Sequence, residues 1–512
     1  MSQGRTPLFR SLIQQLQAAH QANIGWSRRD FIAATAAAIA ASALPSHAGH
    51  TGSGRRKLDG PVIIVGGGIA GLTAAYTLMK AGVDCEVYEG SQRFGGRMFT
   101  KRHFNSEGMF CELGGELVDT NHRQLIRLCH EVGAEIQPLK AGEKGVDFYS
   151  VGGHIHRDFD IIPAFQFLAS RIAADAKGLT DAKGAYTAKA KALDAVSLRA
   201  YLADAGAQTP AWLIKILDVA YVCEYGLDAH QQSALNLVNW ISPDTRHGFE
   251  LFGASDEAWR VRGGSDTLPA AVYGKISSKV KTHPRHELSA IASRGDKVLL
   301  TFRHGSETVK LESSHVICAI PFTILRRIEG VKSLQLSPDK KRAIAQMGYG
   351  TNMKIMWGVK DRMWRRPGEG STYFCDGSVV SDLPFQQVWE TSRGQKGRSG
   401  ILTNFIGGSA GAHWTPARLH SFSAEIQKVF PTLAGQWDGN REIMNWPKIK
   451  WVKGSYSAPL RGQYTWIYEA AASVELNGAL HFAGEHTSSQ SAGFMNGGVE
   501  SGQRAAKEVI EG

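Results

Sequence analysis

A short apolar run followed by a helical hydrophobic pattern begins the first foldable stretch of the chain. Val62 to Val65 are all apolar, which is typical of a strand buried on both faces. From Ile69 to about Ala81 the apolar residues recur with helical spacing, and Cys85 to Glu89 is again strand-like. This order predicts a strand, a helix and a second strand, the start of an α/β fold with a parallel sheet.

Glycines occupy the turn between the first strand and the helix. Gly66, Gly68 and Gly71 have the spacing G-x-G-x-x-G. The first allows a tight turn, the second lets backbone approach a pyrophosphate, and the third lets the helix lie close to the strand. Glu89 ends the second strand, where its carboxylate can accept hydrogen bonds from ribose hydroxyls. Together with the phosphate-attracting N–H groups of the helix start, these features predict a Rossmann-like domain that binds FAD or NAD.

A second motif follows the first directly. Residues 93–100 read RFGGRMFT. The glycine pair that includes Gly96 leaves the backbone accessible, and Arg97 offers a guanidinium to a pyrophosphate. This combination suits a long, extended dinucleotide.

A third motif lies near the C-terminus. Residues 480–487 read as a buried strand that ends in Gly484 and Glu485, and residues 493–502 open the final helix. There Glu485 can accept from ribityl hydroxyls, and the helix start can bind phosphate or flavin carbonyls. With motifs at both ends, the chain resembles the flavin-containing amine oxidase family, which includes monoamine oxidases, polyamine oxidases and L-amino acid oxidases.

The resemblance implies FAD as the cofactor, held in a Rossmann-like domain of the glutathione-reductase type. Ser455 stands where animal monoamine oxidases attach FAD through a cysteine, so we expect non-covalent FAD. A backbone contact with adenine is implied for Leu288. The expected cofactor-binding residues are Gly66, Gly68, Gly71, Glu89, Gly96, Arg97, Gly114, Gly115, Leu288, Gly484, Glu485 and Met495.

Four further positions match residues of that family that serve the reaction. Lys354 corresponds to a strand lysine that holds a water near flavin N5; the alternative is an ordinary solvent-facing lysine. Tyr456 and Phe494 correspond to the two walls of an aromatic cage for substrate, and Trp446 belongs to the adjoining Asn-Trp stretch. The implied reaction transfers a hydride equivalent from the carbon that bears a neutral amine to the flavin. It yields an imine, then a carbonyl product and ammonia, and O2 is reduced to hydrogen peroxide.

The substrate stays open between a primary amine and an L-amino acid. Snake-venom L-amino acid oxidases place a carboxylate-binding Arg two residues beyond their Leu-Gly-Pro, whereas residues 113–117 here read LGGEL. An Arg from the helical region could serve instead. Glu116, Glu224 and Tyr225 are further pocket candidates, and a carboxylate there would favour a basic substrate such as a diamine.

Three other functions remain alternatives to an oxidase. One is a flavin desaturase or isomerase that acts on an apolar substrate. Another is an exported flavoprotein dehydrogenase that uses an electron acceptor other than O2. The last is a non-catalytic flavoprotein that acts as a binding module.

Shifts in composition predict how the chain is divided into domains. A mixed-sheet substrate domain and a helical insertion are expected to interrupt the FAD-binding domain, because helix-type and strand-type sequence alternate over long stretches. The predicted segments are a signal at 1–48, a linker at 49–60, FAD-binding parts at 61–150, 256–330 and 466–512, a helical substrate domain at 151–255 and a substrate-binding sheet at 331–465.

The N-terminal region resembles a bacterial export signal. Arg28 and Arg29 precede an apolar, Ala-rich segment, Phe31 to Leu44, and small residues up to Ala48. This pattern predicts recognition by the twin-arginine translocase and a periplasmic or secreted protein. The segment is too short to span a bilayer, so no stable membrane anchor is expected.

Overall composition narrows the partners. The 512 residues are 43% hydrophobic and carry a net charge of +11. The basic residues form no arrays interleaved with aromatic residues, so no nucleic-acid partner is expected. Six cysteines show no metal-type spacing, which predicts no metal site. The partners that the resemblance implies are a small amine or amino acid and O2, and a homodimer is left open.

Overall fold

The computed structural model describes residues 58–139, 145–366 and 374–512. The predicted export signal lies outside the described residues. The strands in the described ranges are β1 (Val62–Val65), β2 (Cys85–Tyr88), β3 (Thr100–Lys101), β4 (Cys111–Glu112), β5 (Ile136–Pro138), β6 (Val146–Val151), β7 (His154–His156), β8 (Trp259–Val261), β9 (Lys281–His283), β10 (Glu287–Arg294), β11 (Lys297–His304), β12 (Glu307–Ser313), β13 (Val316–Cys318), β14 (Met353–Val359), β15 (Cys375–Ser381), β16 (Gln387–Glu390), β17 (Gly400–Ile406), β18 (Trp437–Asn445) and β19 (Leu480–Phe482).

Helices alternate with these strands at the two ends of the chain and cluster in its middle. They are α1 (Ile69–Lys80), α2 (Arg123–Val132), α3 (Asp158–Ala176), α4 (Ala188–Asp194), α5 (Leu198–Ala205), α6 (Ala211–Tyr225), α7 (Leu235–Val238), α8 (Thr267–Ile276), α9 (Phe322–Leu325), α10 (Pro338–Gln346), α11 (Gly408–Ala412), α12 (Leu419–Val429), α13 (Ile467–Ala472) and α14 (Met495–Glu511). The helix predicted from Ile69 to about Ala81 is confirmed as α1, and the helical pattern of the final segment is confirmed as α14.

The first sheet is parallel and has the strand order β19-β13-β1-β2-β9. β1 lies at its centre and is buried along its whole length, as its unbroken apolar run predicts. Ile64 packs with residues of α1, α8 and α14 on one face. Ile63 and Val65 pack on the other face against the antiparallel sheet β10-β11-β12. Three distant stretches of sequence therefore build one sheet.

The second sheet is mixed, with the order β18-β14-β17-β16-β15-β6-β7. β15 and β6 run parallel, and the other neighbours are antiparallel. β14 is an inner strand whose seven residues are all buried. Its position carries Lys354 deep into the molecule, between Phe405 of β17 and Met444 of β18.

Helices α3 to α7 form a separate apolar core between β7 and β8 in the chain. α6 is buried on most of its surface and ends at Tyr225, where Gly226 takes a left-handed conformation with φ of 63°. A side chain at Gly226 would collide with Asn352 and Gly350, so the turn lies tightly against the second sheet. This contact brings the end of α6 to the edge of the cavity described below.

The described part of the chain is thus a mixed α/β structure with parallel and mixed sheets, as the hydrophobic pattern predicts. Of the helices in this part, none combines the length and the apolar character that crossing a bilayer requires.

Candidate cofactor and active site

A cavity of about 630 Å³ lies where the two sheets meet the turn between β1 and α1 and the start of α14. Its volume falls within the usual range for cofactor and ligand sites. The structure brings together on its wall fifteen of the sixteen site residues expected from the sequence, namely Gly66, Gly68, Glu89, Gly96, Arg97, Gly114, Gly115, Leu288, Lys354, Trp446, Tyr456, Gly484, Glu485, Phe494 and Met495. Gly71 is the one that does not face it.

Bare backbone lines the cavity at the start of α1. The first helical hydrogen bond runs from Leu72 N to Gly68 O, so the preceding N–H groups have no helical acceptor. A Cβ added to Gly68 would project beside Gly96 Cα, 3.9 Å away, and would fill part of the cradle. Gly96 itself has φ of 59°, which favours glycine. This cradle fits a dinucleotide pyrophosphate.

Gly66 and Gly71 hold the strand and the helix together behind this cradle. Gly66 has φ of 109°, and a Cβ there would lie 2.8 Å from Ala319 O, directly after β13, the strand beside β1. A Cβ on Gly71 would lie 1.9 Å from Gly66 O. Gly71 therefore serves close packing of α1 against the turn, the role that the G-x-G-x-x-G spacing predicts for it.

Glu89 stands at the end of β2, where a ribose partner was expected. Its Oε2 accepts from Gly67 N at 2.8 Å and its Oε1 accepts from Ser91 N at 2.7 Å. These two bonds hold the carboxylate in place, and a carboxylate still has acceptor sites left for hydroxyl groups. Leu288, expected at the adenine, lines the same cavity from β10.

Arg97 and Glu485 join the N-terminal and C-terminal motifs. Arg97 Nη1 donates to Glu485 Oε1 at 2.8 Å and to Ser455 O at 2.9 Å. The other carboxylate oxygen accepts from Ser457 Oγ at 2.6 Å and Gly493 N at 2.8 Å. Burial alone would raise the pKa of Glu485, but the charge of Arg97 and these hydrogen bonds bring the pKa below its ordinary value. Glu485 thus orients Arg97, a task the sequence did not reveal.

Lys354 is buried and does not face solvent. Its Nζ donates to Gly114 O at 2.9 Å, to Glu116 Oε2 at 2.9 Å and to Glu112 O at 3.3 Å. Since an ammonium has three N–H donors, these contacts account for all of them. A water held by Lys354, which the resemblance implies, would displace one of these acceptors. Glu116, a candidate for binding a basic substrate, is instead an ion-pair partner of this lysine.

Glu112 precedes the glycine pair Gly114 and Gly115, but its side chain turns away from the cavity that they line. Its Oε1 accepts from Ser265 N at 2.8 Å, and its Oε2 accepts from Thr100 Oγ1 and Ser265 Oγ, both at 2.8 Å. Burial, and then the nearby charge of Glu116, raises the pKa of Glu112 to about 7. The glycine pair of this motif faces the cavity, and the acid before it anchors the turn from behind.

Aromatic side chains form the opposite part of the cavity wall. Tyr456 Oη donates to Glu224 O at 2.5 Å, and Trp446 Nε1 donates to Leu113 O at 2.8 Å. The ring of Phe494 stacks on Trp240 with 5.8 Å between centroids. Each expected aromatic residue is therefore fixed in place by a contact behind it.

Sequence reasoning missed two aromatic residues of this wall, Trp389 on β16 and Phe405 on β17. Their rings are 5.4 Å apart in an edge-to-face arrangement. Successive side chains of a strand point to opposite faces of the sheet, so the sequence of each strand indicates which residues share a face with Trp389 or with Phe405. That signal does not say which face meets a cavity, because the answer depends on how the sheet packs.

Four arginines line the cavity: Arg93, Arg97, Arg303 and Arg327. Arg93 donates to backbone carbonyls of its own motif, and Arg303 approaches Glu287 at 3.9 Å. Within the described ranges, α3 to α7 contribute no arginine to the lining, so the carboxylate-binding Arg considered for that region is not found there. The described residues likewise hold no group of three His, Cys, Asp or Glu placed for a metal ion.

Comparison with known proteins agrees with this geometry. Residues 69–510 match the family model described as flavin containing amine oxidoreductase. The flavin-dependent L-tryptophan oxidase of Lentzea aerocolonigenes is 28% identical over 488 residues, covering 88% of this chain and 98% of that protein. The L-amino-acid oxidase of Vipera ammodytes ammodytes is 23% identical over 486 residues, covering 89% and 94%. The structure of cyclohexylamine oxidase from Brevibacterium oxydans IH-35A superimposes with a TM-score of 0.72 at 22% identity, covering 88% and 99%.

Proposed function

The chain is an enzyme of the flavin-containing amine oxidoreductase family, and we propose that it catalyses FAD-dependent oxidative deamination of a primary amine. The proposed products are an imine, which water hydrolyses to a carbonyl compound and ammonia, and hydrogen peroxide from O2. Relatives named as amine oxidases and amino acid oxidases support the reaction class.

One observation carries the proposal: a dinucleotide cradle and an aromatic wall share a single cavity. The cradle is made by Gly68, Gly96 and the start of α1, and the wall includes Tyr456 and Phe494. A substrate between the rings would lie beside the cofactor, screened from water. Removal of water from the enclosed pocket disfavours the charged ammonium, and so favours the neutral amine that can be oxidised.

FAD fits this cradle, and when bound it supplies the acceptor for two electrons. Arg97 would bind its pyrophosphate together with the N–H groups of α1. The parallel first sheet with its attached antiparallel sheet supports the glutathione-reductase type of FAD domain. Ser455 carries a hydroxyl that donates to Asn352 Oδ1 at 2.6 Å, and the described lining contains no cysteine, which supports non-covalent FAD.

An L-amino acid is the second candidate substrate. The 28% identity with an L-tryptophan oxidase favours it. Against it, Arg93 and Arg97 are engaged within the cofactor motifs, and Arg303 faces Glu287. These three arginines offer no cation to an α-carboxylate, and Arg327 is the one arginine of the described lining left to bind it; we therefore take an amine without a carboxylate as the first choice and an L-amino acid held by Arg327 as the second.

Anaerobic titration of the flavin absorption band tests the function. The purified protein with FAD would be mixed with matched pairs of L-amino acids and their decarboxylated amines. We expect the amines to bleach the band; bleaching by L-amino acids alone would select the second candidate. If neither set bleaches it, amine oxidation is wrong. Readmitting O2 and measuring hydrogen peroxide distinguishes an oxidase from a dehydrogenase with another acceptor.

We also propose export by the twin-arginine route to the periplasm or the medium. The pair Arg28 and Arg29 before an apolar segment supports it. Replacing both with lysine should leave the protein in the cytoplasmic fraction, which immunoblotting of cell fractions would detect. Unchanged export of that variant would contradict the proposal.

A further inference from the structure

The ion pair of Lys354 and Glu116 is buried at the wall of the cavity. The side chains of Lys354 and Glu116 are only 7% and 5% exposed. The second oxygen of Glu116 accepts from Thr391 Oγ1 at 2.7 Å, and Thr391 Oγ1 is 2.5 Å from Thr403 Oγ1. The carboxylate is thus held from two directions, by the lysine and by a hydroxyl pair between β16 and β17.

Other charges lie near this pair on the neighbouring elements. Arg260 of β8 is buried, and the negative charge of Glu116 acts on it. Glu112 of β4 lies on the other side and interacts with Glu116 as well. The indole of Trp389 lies 5.2 Å from the Lys354 ammonium. Glu116 therefore pairs directly with Lys354, and its charge also acts on the buried Arg260.

The lysine contacts link this pair to the cofactor cradle. Nζ donates to the carbonyls of Gly114 and Glu112, on either side of Leu113 in the turn that lines the cavity. The turn packs closely against the backbone of Arg97, because a Cβ on Gly114 would lie 1.8 Å from Arg97 O. Whatever fixes the ammonium also fixes this turn, and Glu116 supplies the only charged contact that the described residues make with Nζ.

We propose that Glu116 is a positioning residue, which directs the Lys354 ammonium onto the carbonyls of the Gly114 turn and offsets its charge beside the cofactor. An unpartnered buried ammonium would be strongly disfavoured. Glu116 therefore keeps a cation at this place without leaving its charge uncompensated. The inference rests on the proposed function only for its kinetic consequence.

Glu116→Gln tests the inference because it keeps the shape and removes the charge. We expect weaker FAD binding because the turn is held less firmly. Where Lys354 keeps its proton, the flavin reduction potential should also become more positive, because the negative charge that opposed the addition of electrons is gone. With an amine substrate, kcat should fall by about 10- to 100-fold as Lys354 loses its position, while KM changes by less than about 2-fold. The first two measurements need no substrate, so they remain decisive if amine oxidation itself is wrong.

Two variants serve as controls. Glu131→Gln removes a carboxylate from an exposed pair with Lys80 at the same 2.9 Å distance, and should leave potential and kcat unchanged. Thr391→Val removes the hydroxyl that holds Glu116 but no charge. It should weaken FAD binding and lower kcat with an unchanged potential, and it replaces Glu116→Gln as the test if that variant does not fold.

Three results would overturn the inference. A raised KM with unchanged kcat would mean that Glu116 binds the substrate. An unchanged potential together with unchanged FAD binding would mean that the pair only stabilises the fold. A wild-type kcat in both Glu116→Gln and Thr391→Val would mean that Lys354 needs no positioning partner.

Discussion

Arg97 and Glu485 are 388 residues apart in the chain, yet Arg97 Nη1 and Glu485 Oε1 are 2.8 Å apart at the cavity. Each belongs to a separate motif, and either motif alone is suited to binding part of a dinucleotide. Their contact shows that the two motifs form one site, because the carboxylate orients the guanidinium toward the shared cavity.

Removing the guanidinium should destabilise the fold as well as weaken FAD binding. Arg97→Met leaves the buried Glu485 carboxylate without its cation, and we expect a loss of about 3–5 kcal/mol in the free energy of unfolding. The double variant Arg97→Met/Glu485→Gln should lose less, since no buried charge then lacks a partner. Urea unfolding of the FAD-free proteins measures both, and a double variant that loses as much as Arg97→Met or more would contradict the idea that the unpartnered carboxylate causes the loss.

Glu112 should make stability depend on pH in an unusual direction. Its pKa is about 7 in the folded protein against an ordinary 4.5, so between these values the folded chain binds more protons than the unfolded chain. Its contribution to stability is thus present below about pH 4.5 and is lost as the pH rises toward 7.

Glu112→Gln isolates this contribution. The variant mimics the protonated acid, so it should match the wild type near pH 4.5 and exceed it by up to about 3 kcal/mol above pH 7. Denaturant unfolding of both proteins across this range gives the difference. A difference that does not vary with pH would show that Glu112 is ionised throughout.

Gly71 should be intolerant of a side chain although it does not face the cavity. Gly71→Ala places a Cβ 1.9 Å from Gly66 O, so α1 must move away from the turn. We expect a stability loss of about 1–3 kcal/mol and impaired FAD binding. Gly274→Ala is the matched change in α8, where a Cβ meets nothing within 4 Å; it should stabilise by ~0.4–1 kcal/mol. Similar losses in both would contradict the packing argument.

Two variants of Tyr456 distinguish the contribution of its ring from that of its hydroxyl. Tyr456→Phe loses only the hydrogen bond to Glu224 O, and should keep near wild-type kcat/KM with amines. Tyr456→Leu removes the ring, and kcat/KM should fall by about 10-fold. Steady-state rates over a range of concentrations of each amine measure kcat/KM. A larger effect of Tyr456→Phe would indicate that the hydroxyl, and not the ring, acts on the substrate.

Local patterns in the sequence were sufficient to predict the turn and the helix start that form the cofactor cradle. The glycine spacing, the apolar run of β1 and the helical periodicity of α1 act over a few residues, because a tight turn and a helix start depend on neighbouring backbone. The same holds for the strand and helix that follow one another near Glu485. For these elements the pattern predicted the structure closely.

The sequence could not reveal partners that lie far apart in the chain. Lys354 is 238 residues from Glu116, and nothing local distinguishes a paired, buried lysine from an exposed one. Glu112 looks like part of the cavity lining, but the pleat of β4 turns its side chain toward Ser265. Trp389 and Phe405 are strand aromatics of ordinary appearance.

The sequence by itself therefore determined the βαβ start with its glycine-rich turn, the alternation of helix and strand, and the family to which the chain belongs. Only the tertiary structure decided how the charges are paired and which sheet face meets the cavity. The reason is physical: turn geometry and periodicity are short-range, whereas the burial of Lys354 with Glu116 depends on how the second sheet packs against the Gly114 turn.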